Sequence, residues 1–163
     1  MIYSANGVLP LSIPVEKKGK TYMAEVGIDT YSDWKTLHWR AISSAYNSSP
    51  FFEFYSDELK EVFFTKHNSL IEFNTSLLIH ICKEIGLINK LETNSIYINA
   101  EDRDMDLRNT LNPKSKSDIV IEFPRYIQIF EAKHGYIANL SILDLLFHEG
   151  PETYNYLKRL KLK

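Results

Sequence analysis

The sequence predicts a single α+β domain in which a small, largely antiparallel sheet packs with four to five helices. The chain has 163 residues, a length typical of one domain. Hydrophobic residues make up 44% of the chain, which is enough to fill one core. Apolar residues alternate with other residues near the N-terminus, as in strands, and recur every three or four residues further on, as in helices.

The first 30 residues have the pattern of a hairpin. Apolar residues alternate over Leu9–Val15 and again over Tyr22–Ile28, with a turn at Lys17–Lys20 between them. Pro10 and Pro14 are four residues apart, so both missing N–H groups lie on one edge of the first strand. We therefore predict an edge strand, which could pair with a second copy of the chain as a homodimer.

Helical periodicity is continuous over three long segments and two short ones. Asp33 or Ser32, Ser49 and Asn68 are predicted to cap the long helices, and Gly86 suits the end of the third. Pro50 suits the first turn of the second helix. The predicted helices span Trp34–Tyr46, Pro50–Phe64, Ser69–Ile85, Ser141–His148 and Glu152–Leu160.

Three further segments have the composition of strands. These are Ser95–Asn99, Ile119–Phe123 and Tyr126–Phe130, with Pro124 separating the last two. The polar stretch Asp102–Lys116 is predicted to be a loop.

Charge and cysteine content exclude several classes of function. Nineteen basic and 21 acidic residues give a net charge of −2, so binding to a nucleic-acid backbone is not expected. No apolar run is long enough to span a membrane, and no signal peptide is recognised. The single cysteine, Cys82, can form neither an internal disulfide nor a thiolate metal site. We expect a cytoplasmic protein.

His38 is the first candidate for chemistry. It lies on the apolar stripe of its helix, between Trp34 and Ile42, and could act as a general base or as a ligand. A buried histidine bonded to the backbone is the alternative, and position alone favours it. Arg40 follows two residues later and could bind a carboxylate or phosphate, or form a surface ion pair.

Acidic residues alternate at Asp102, Asp104 and Asp106. A calcium loop is excluded because Leu107 and Pro113 stand where the turn glycine and the bidentate glutamate are needed. Two aspartates separated by one residue could hold a divalent metal on a nucleotide diphosphate. An acidic loop whose charge is balanced by arginines is the simpler interpretation. Because His67, His80 and His134 show no partner at metal-ligand spacing, we name no metal ligand and no cofactor.

Three polar residues in the fourth predicted helix have structural explanations. Ser141 and Asp144 fit the spacing of a capping box, in which each side chain bonds to the other's backbone. His148 lies in the last turn, where the helix dipole favours a cationic ring.

Several segments together resemble the WbqC-like proteins of bacteria. The most specific are the His-Trp-Arg helix and the segment from Asn139 to Glu152. The segments that carry the resemblance are Ala5–Gly7, Leu11–Val15, Trp34–Arg40, Ala45–Tyr46, Ser49–Glu53, Asp106–Arg108, Pro113–Lys114, Tyr126–Phe130, Asn139–Phe147 and Glu149–Glu152.

The resemblance implies one cytoplasmic domain over residues 1–163, shortened at the N-terminus relative to the family. The family is associated with surface-polysaccharide (O-antigen) genes, which implies a transferase that places an acyl or aminoacyl group, such as glycine, on a sugar precursor. The expected partner is a small-molecule or sugar-nucleotide substrate. A non-catalytic binding or assembly protein of the same pathway, or an inactive shortened form, is the alternative, and a metal-dependent transferase using the alternating aspartates is a third.

Within the matching segments, polar residue types suggest roles. His38 is the candidate base. Asp106 or Asp144 would orient that histidine or an arginine. The candidate substrate-binding residues are Arg40, Arg108 and Lys114 for an anionic donor, Gln128 and Asn139 for neutral polar groups, and Tyr46 and Tyr126 for stacking on a sugar ring.

Overall fold

The structure is a computed structural model that describes residues 1–16, 22–87 and 121–162. Helices and short antiparallel strand pairs make up these ranges, which confirms the α+β class. The helices are α1 (Trp34–Tyr46), α2 (Phe52–Phe64), α3 (Leu70–Glu84), α4 (Glu131–His134), α5 (Ile142–Glu149) and α6 (Thr153–Lys158). The strands are β1 (Ile2–Ser4), β2 (Gly7–Leu9), β3 (Val15–Glu16), β4 (Gly27–Ile28), β5 (Ile121–Glu122) and β6 (Lys161–Leu162).

The strands form three separate antiparallel pairs in the described part of the chain. β1 pairs with β2 in the register Ile2–Leu9, and a tight turn before Gly7, whose φ is +97°, joins the two strands. β3 pairs with β4, and β5 pairs with β6. The register of β3 and β4 differs from the predicted hairpin: Val15 pairs with Ile28, whereas a turn at Lys17–Lys20 would place Val15 opposite the start of the return strand. The predicted turn itself lies outside the described residues.

The long edge strand predicted over Leu9–Val15 is wrong. Only its two ends pair, with different partners, and residues 10–14 are not in a strand. Pro10 and Pro14 lack the N–H groups that a continuous ladder requires. Within Tyr22–Ile28, the predicted second strand of the hairpin, Met23–Glu25 forms a 3₁₀ turn. The unbroken edge on which a homodimer was predicted is therefore not present in the structure.

The three long helices lie close to their predicted bounds. Asp33 is the N-cap of α1, although its side chain makes no capping hydrogen bond. Ser69 caps α3 in a full capping box with Glu72, one residue later than the predicted cap Asn68. Helix α2 begins after Phe51, two residues later than Pro50 suggested.

The C-terminal third differs more from expectation. Ile121–Glu122 confirms part of the strand predicted over Ile119–Phe123. The strand predicted over Tyr126–Phe130 is wrong: these residues do not form a strand, and the Gln128 side chain, rather than a neighbouring strand, bonds to the backbone of Ile137. The segments predicted as the strand Ser95–Asn99 and the loop Asp102–Lys116 lie outside the described residues.

Two apolar clusters fill the interior. The larger joins α1, α2, α5 and β1. The smaller contains Ile28 and three aromatic rings, Trp34, Phe63 and Phe73, which pack on one another edge to face. Helix α5 runs through the larger cluster, and all five residues from Asp144 to His148 are buried. A helix buried on all sides must satisfy its polar side chains with protein partners. Among the described residues, no helix has the length and apolar character that crossing a membrane requires.

Gly150 ends α5 at a position that only glycine fits. Its φ is +51°, and a Cβ atom would meet the Phe51 ring at 2.6 Å. Gly150→Ala should therefore lower the free energy of unfolding by roughly 2–4 kcal/mol through backbone strain and overpacking. Gly86→Ala is the control, because Gly86 also has a positive φ, +75°, but open space around it. Equal losses in urea unfolding would mean that the Phe51 contact contributes nothing.

Candidate functional site

The carboxylate of Asp144 is completely buried and accepts hydrogen bonds from separate parts of the chain. The Tyr46 hydroxyl on α1 donates to Oδ1 at 2.9 Å, and the Tyr126 hydroxyl donates to Oδ2 at 2.6 Å. The Gln128 amide nitrogen lies 3.5 Å from Oδ2. The Asp144 side chain therefore points into the core, and the predicted capping box is wrong for this residue. Ser141 does cap α5, through the Leu143 N–H.

Tyr46 connects this carboxylate to the N-terminal hairpin. Its hydroxyl accepts the Tyr3 N–H at 3.0 Å while donating to Asp144, and both tyrosines are fully buried. The Tyr3 hydroxyl in turn donates to the Gly135 carbonyl at 2.7 Å. The Ser141 N–H donates to the Met1 carbonyl at 2.8 Å. The hairpin is thus bonded to α1, to α5 and to the turn after α4.

Gln128 supports the network from the loop before α4. It is 3% exposed, and its amide bonds the backbone of Ile137 twice, donating to the carbonyl at 2.8 Å and accepting the N–H at 2.9 Å. Both ends of the amide are therefore occupied by the protein. This occupation makes Gln128 a positioning residue rather than a free contact for a substrate.

His148 lies one turn after Asp144 on α5. Its Nε2 accepts the Ile129 N–H at 3.1 Å, so the ring proton must be on Nδ1, which donates to the Asp144 carbonyl at 2.6 Å. Both ring nitrogens therefore contact the backbone, one at the segment before α4 and one on α5 itself, which gives this histidine a structural role.

Burial and the Asp144 charge strongly stabilise the protonated tyrosines. The pKa of Tyr46 is raised well above its usual value of 10.0, first by burial and then by the neighbouring carboxylate. The pKa of Tyr126 is raised in the same way, by burial and by the hydrogen bond to Asp144. Both phenols therefore remain neutral donors to the carboxylate at any ordinary pH.

A half-open cavity of about 290 Å³ adjoins this network. Its polar lining comes from Tyr126, Asn139, Ser141 and Tyr156, and the rest of its lining is aliphatic or aromatic. The Tyr126 ring packs edge to face on Tyr156 at 5.4 Å, and the Tyr156 hydroxyl donates to the Pro124 carbonyl at 2.6 Å. An apolar pocket with a few fixed polar groups is typical of a small-molecule site.

The structure brings together five of the ten predicted site residues. Tyr46, Tyr126, Gln128 and Asp144 share the hydrogen-bond network, and Asn139 lines the adjoining cavity. Asn139 adopts a left-handed backbone, with φ of +55°. The ring of Tyr46 is sealed in the core and packs on Phe147, so it is not placed to stack on a sugar.

His38 and Arg40 lie elsewhere on α1. The half-buried His38 ring packs edge to face on Trp34 at 5.3 Å, and burial lowers its pKa. Arg40 is exposed. Within the described residues, the polar partners of Asp144 are Tyr46, Tyr126, Gln128 and His148, and neither His38 nor Arg40 is among them. The candidates Asp106, Arg108 and Lys114 lie outside the described residues.

Sequence reasoning missed two residues of this region, Tyr3 and Tyr156. Tyr156 lies in a segment correctly predicted as helical, but its hydroxyl partner, the Pro124 carbonyl, is 32 positions away. Tyr3 lies in a three-residue strand, which is too short to show a period. The turn glycine at Gly7 was the one local signal for the β1–β2 hairpin.

The expectation that His80 has no partner at metal-ligand spacing is wrong. Glu84 is four residues further along α3, on the same face, and Glu58 on α2 lies opposite. One ligand atom from each of the three residues lies within 4.8 Å of the other two. This is the one group of three potential metal ligands found among the described residues.

The fold and this site define a small α+β domain with a buried aspartate–tyrosine network beside a ligand-sized cavity. The chain belongs to the WbqC-like protein family, whose model matches residues 1–122. It is also 25% identical, over an alignment of 183 residues, to the uncharacterized protein Rv1507c of Mycobacterium tuberculosis. That alignment covers 96% of this chain and 79% of the mycobacterial protein. No solved structure matches the chain.

The family match and the site overlap only in part. Tyr3 and Tyr46 lie within the matched residues, whereas Tyr126, Asn139 and Asp144 follow them. The segment from Asn139 to Glu152, which contributed to the resemblance, therefore follows the residues that the family model matches. The alignment with the mycobacterial protein is longer and covers 96% of the chain.

Removing the Tyr46 hydroxyl tests whether the network stabilises the fold. Tyr46→Phe leaves the Tyr3 N–H and one carboxylate oxygen without this partner, so the free energy of unfolding should fall by about 1–3 kcal/mol. Tyr55→Phe is the matched control, because Tyr55 is also a buried tyrosine and its hydroxyl makes no hydrogen bond to the described residues. Equal effects of the two substitutions in urea unfolding would contradict the bridging role.

The raised tyrosine pKa values predict how stability depends on pH. Above about pH 10 the unfolded chain loses phenol protons that the folded chain keeps, so stability should fall as pH rises, by about 1.4 kcal/mol per pH unit for each such tyrosine. Unfolding curves between pH 9 and 11.5 measure this slope. Tyr46→Phe should make it shallower by the contribution of one group, and parallel slopes in the two proteins would contradict the assignment.

Proposed function

We propose that this chain binds a small acyl or aminoacyl group in the cavity beside Asp144 and transfers it to a hydroxyl or amine of a sugar precursor. The observation that carries the proposal is the pocket of about 290 Å³, in which apolar walls meet the polar residues Tyr126, Asn139, Ser141 and Tyr156. Its volume suits a short acyl or aminoacyl group rather than an entire nucleotide sugar. The resemblance to proteins linked with surface-polysaccharide genes supports the sugar acceptor.

Acyl transfer needs a group that takes a proton from the acceptor. In this proposal, the acceptor hydroxyl attacks the acyl carbonyl and donates its proton to the Tyr126 oxygen, while the Tyr126 proton moves onto Asp144, to which it is already bonded at 2.6 Å. When the bond between the acyl group and its donor breaks, the proton returns from Asp144 through Tyr126 to the donor's leaving group. Tyr126 and Asp144 thus take the role that the sequence suggested for His38. That histidine is outside the cavity lining among the described residues, although its lowered pKa keeps it neutral and able to accept a proton.

The same transfer needs donors to the oxyanion that forms as the acyl carbonyl is attacked. The Asn139 amide and the Ser141 hydroxyl are the lining groups able to donate, and the left-handed backbone of Asn139 fixes where its side chain begins. The buried Gln128 and His148 hold the Tyr126 segment and α5 in place from behind.

A second candidate function, binding without catalysis, is favoured by a specific observation. The hydrogen-bonding groups of Asp144, His148 and Gln128 are already engaged by protein partners, and Asp144 is completely buried. Such a network can hold a pocket in shape without taking part in chemistry.

Ligand-dependent stability tests the proposal. Thermal unfolding with acyl-CoA, amino acids, stable aminoacyl-adenylate analogues and sugar nucleotides should show stabilisation by one acyl class, worth about 2.7 kcal/mol at 100 times the Kd. Ile142→Trp, which fills the cavity, should abolish the shift, and Arg40→Gln on the exposed side of α1 should not. No shift from any compound, or a shift that survives Ile142→Trp, contradicts the proposal.

Turnover then separates the two candidates. With the stabilising donor and a sugar acceptor, Tyr126→Phe should lower kcat by about 100-fold or more while leaving donor binding in place. His38→Ala should leave kcat unchanged. Loss of activity in His38→Ala, with Tyr126→Phe fully active, would return the general-base role to His38. Tight binding with no turnover under any condition would favour the binding function.

A further inference from the structure

A second cluster of chemically active side chains lies between α2 and α3, apart from the cavity beside Asp144. It consists of Glu58 on α2 and His80 and Glu84 on α3. Because His80 and Glu84 are four residues apart on one helix, they share a face and point in the same direction. Glu58 approaches from the neighbouring helix, so two packed helices hold the three groups together.

The burial of His80 is the observation that distinguishes this cluster from an ordinary patch of surface acids. Its side chain is 8% exposed, yet the imidazole makes no hydrogen bond to any described residue. The nearest acidic atom, Glu84 Oε1, is 3.9 Å from Nδ1, which is too far for a hydrogen bond. The imidazole is thus held in place by its buried ring while its nitrogens stay available, and the two carboxylates beside it show where a shared ligand would lie.

We propose that Glu58, His80 and Glu84 bind a divalent first-row transition-metal ion, with Zn²⁺ as the best-suited example. An imidazole with two carboxylates is a ligand set for zinc, manganese or iron, whereas magnesium and calcium favour oxygen ligands alone. Three protein ligands leave at least one position for water. The site does not depend on the proposed transfer reaction.

The neighbourhood already holds a positive charge between the two carboxylates. Lys83 Nζ lies 3.4 Å from Glu58 Oε2 and 3.8 Å from Glu84 Oε1. The Lys83 side chain is 71% exposed, so it can leave without disturbing the core. A metal ion must displace this ammonium group, which means that Lys83 competes with the ion for the same carboxylates.

The ligand atoms need only small movements to coordinate one ion. Tetrahedral coordination at about 2.1 Å requires ligand atoms roughly 3.4 Å apart, compared with separations of up to 4.8 Å in the structure. Glu58 is 65% exposed, so it can rotate inward once Lys83 has been displaced. His80 and Lys83 also line an open groove of about 710 Å³ along α3, so the histidine is reached from this side.

Metal titration of the tag-free chain, after removal of metal with a chelator, tests the proposal. Isothermal titration should show one Zn²⁺ bound per chain, and Co²⁺ should give visible absorption bands of a protein-bound ion. Glu84→Gln and His80→Gln should each weaken Zn²⁺ binding by about tenfold or more, a change of about 1.4 kcal/mol. Glu61→Gln, an equal charge change on the exposed face of α2, should have no effect. Lys83→Met should tighten binding.

Several results would overturn the site. These are the absence of stoichiometric Zn²⁺ binding, an affinity unchanged by both Glu84→Gln and Lys83→Met, or Mg²⁺ binding as tightly as Zn²⁺. If His80→Gln does not fold, Glu58→Gln decides the question, because Glu58 is largely exposed and its loss cannot disrupt the core.

Discussion

The buried carboxylate of Asp144 is the interaction on which the arrangement of this domain depends. A completely desolvated carboxylate is costly unless it is hydrogen-bonded, and here two phenols and an amide surround it. Tyr46 connects α1 to this carboxylate and, through the Tyr3 backbone, also connects the first strand to it. Tyr126 and Gln128 connect the segment before α4 to the same carboxylate. One charged group therefore fixes elements more than 100 residues apart in sequence, in a fold whose described strand pairs are too short to do so.

The same network explains why the neighbouring cavity has its shape. The Tyr126 ring forms part of the cavity wall, and its hydroxyl is bonded to Asp144 on α5. Asn139 and Ser141, which come just before the first residue of α5, also line the cavity. A ligand in this cavity would therefore contact groups whose positions the core determines. A pocket pre-organised in this way is compatible with binding and with catalysis. Which of the two functions it has depends on the chemistry of the polar groups that contact the ligand.

The features of the structure that could be predicted from the sequence are those set by neighbouring residues in the chain. The helices α1 to α3 were predictable within two residues, because an apolar stripe and a cap are local features. Ser141 and Asp144 have the spacing of a capping box, but burial of α5 on all sides turns the carboxylate inward, and burial is not a local property. The spacing of His80 and Glu84 was readable from the sequence. Their third neighbour, Glu58, required knowledge of how α2 packs on α3.

A double-mutant cycle on the unfolding free energy tests the central role of Asp144 most directly. Tyr46→Phe and Tyr126→Phe each remove one donor to opposite oxygens of the same carboxylate. If the carboxylate couples α1 to the segment before α4, the double variant should differ from the sum of the single variants by about 0.5–3 kcal/mol. Additive effects, within roughly 0.3 kcal/mol, would show that the two tyrosines act independently and would contradict the account.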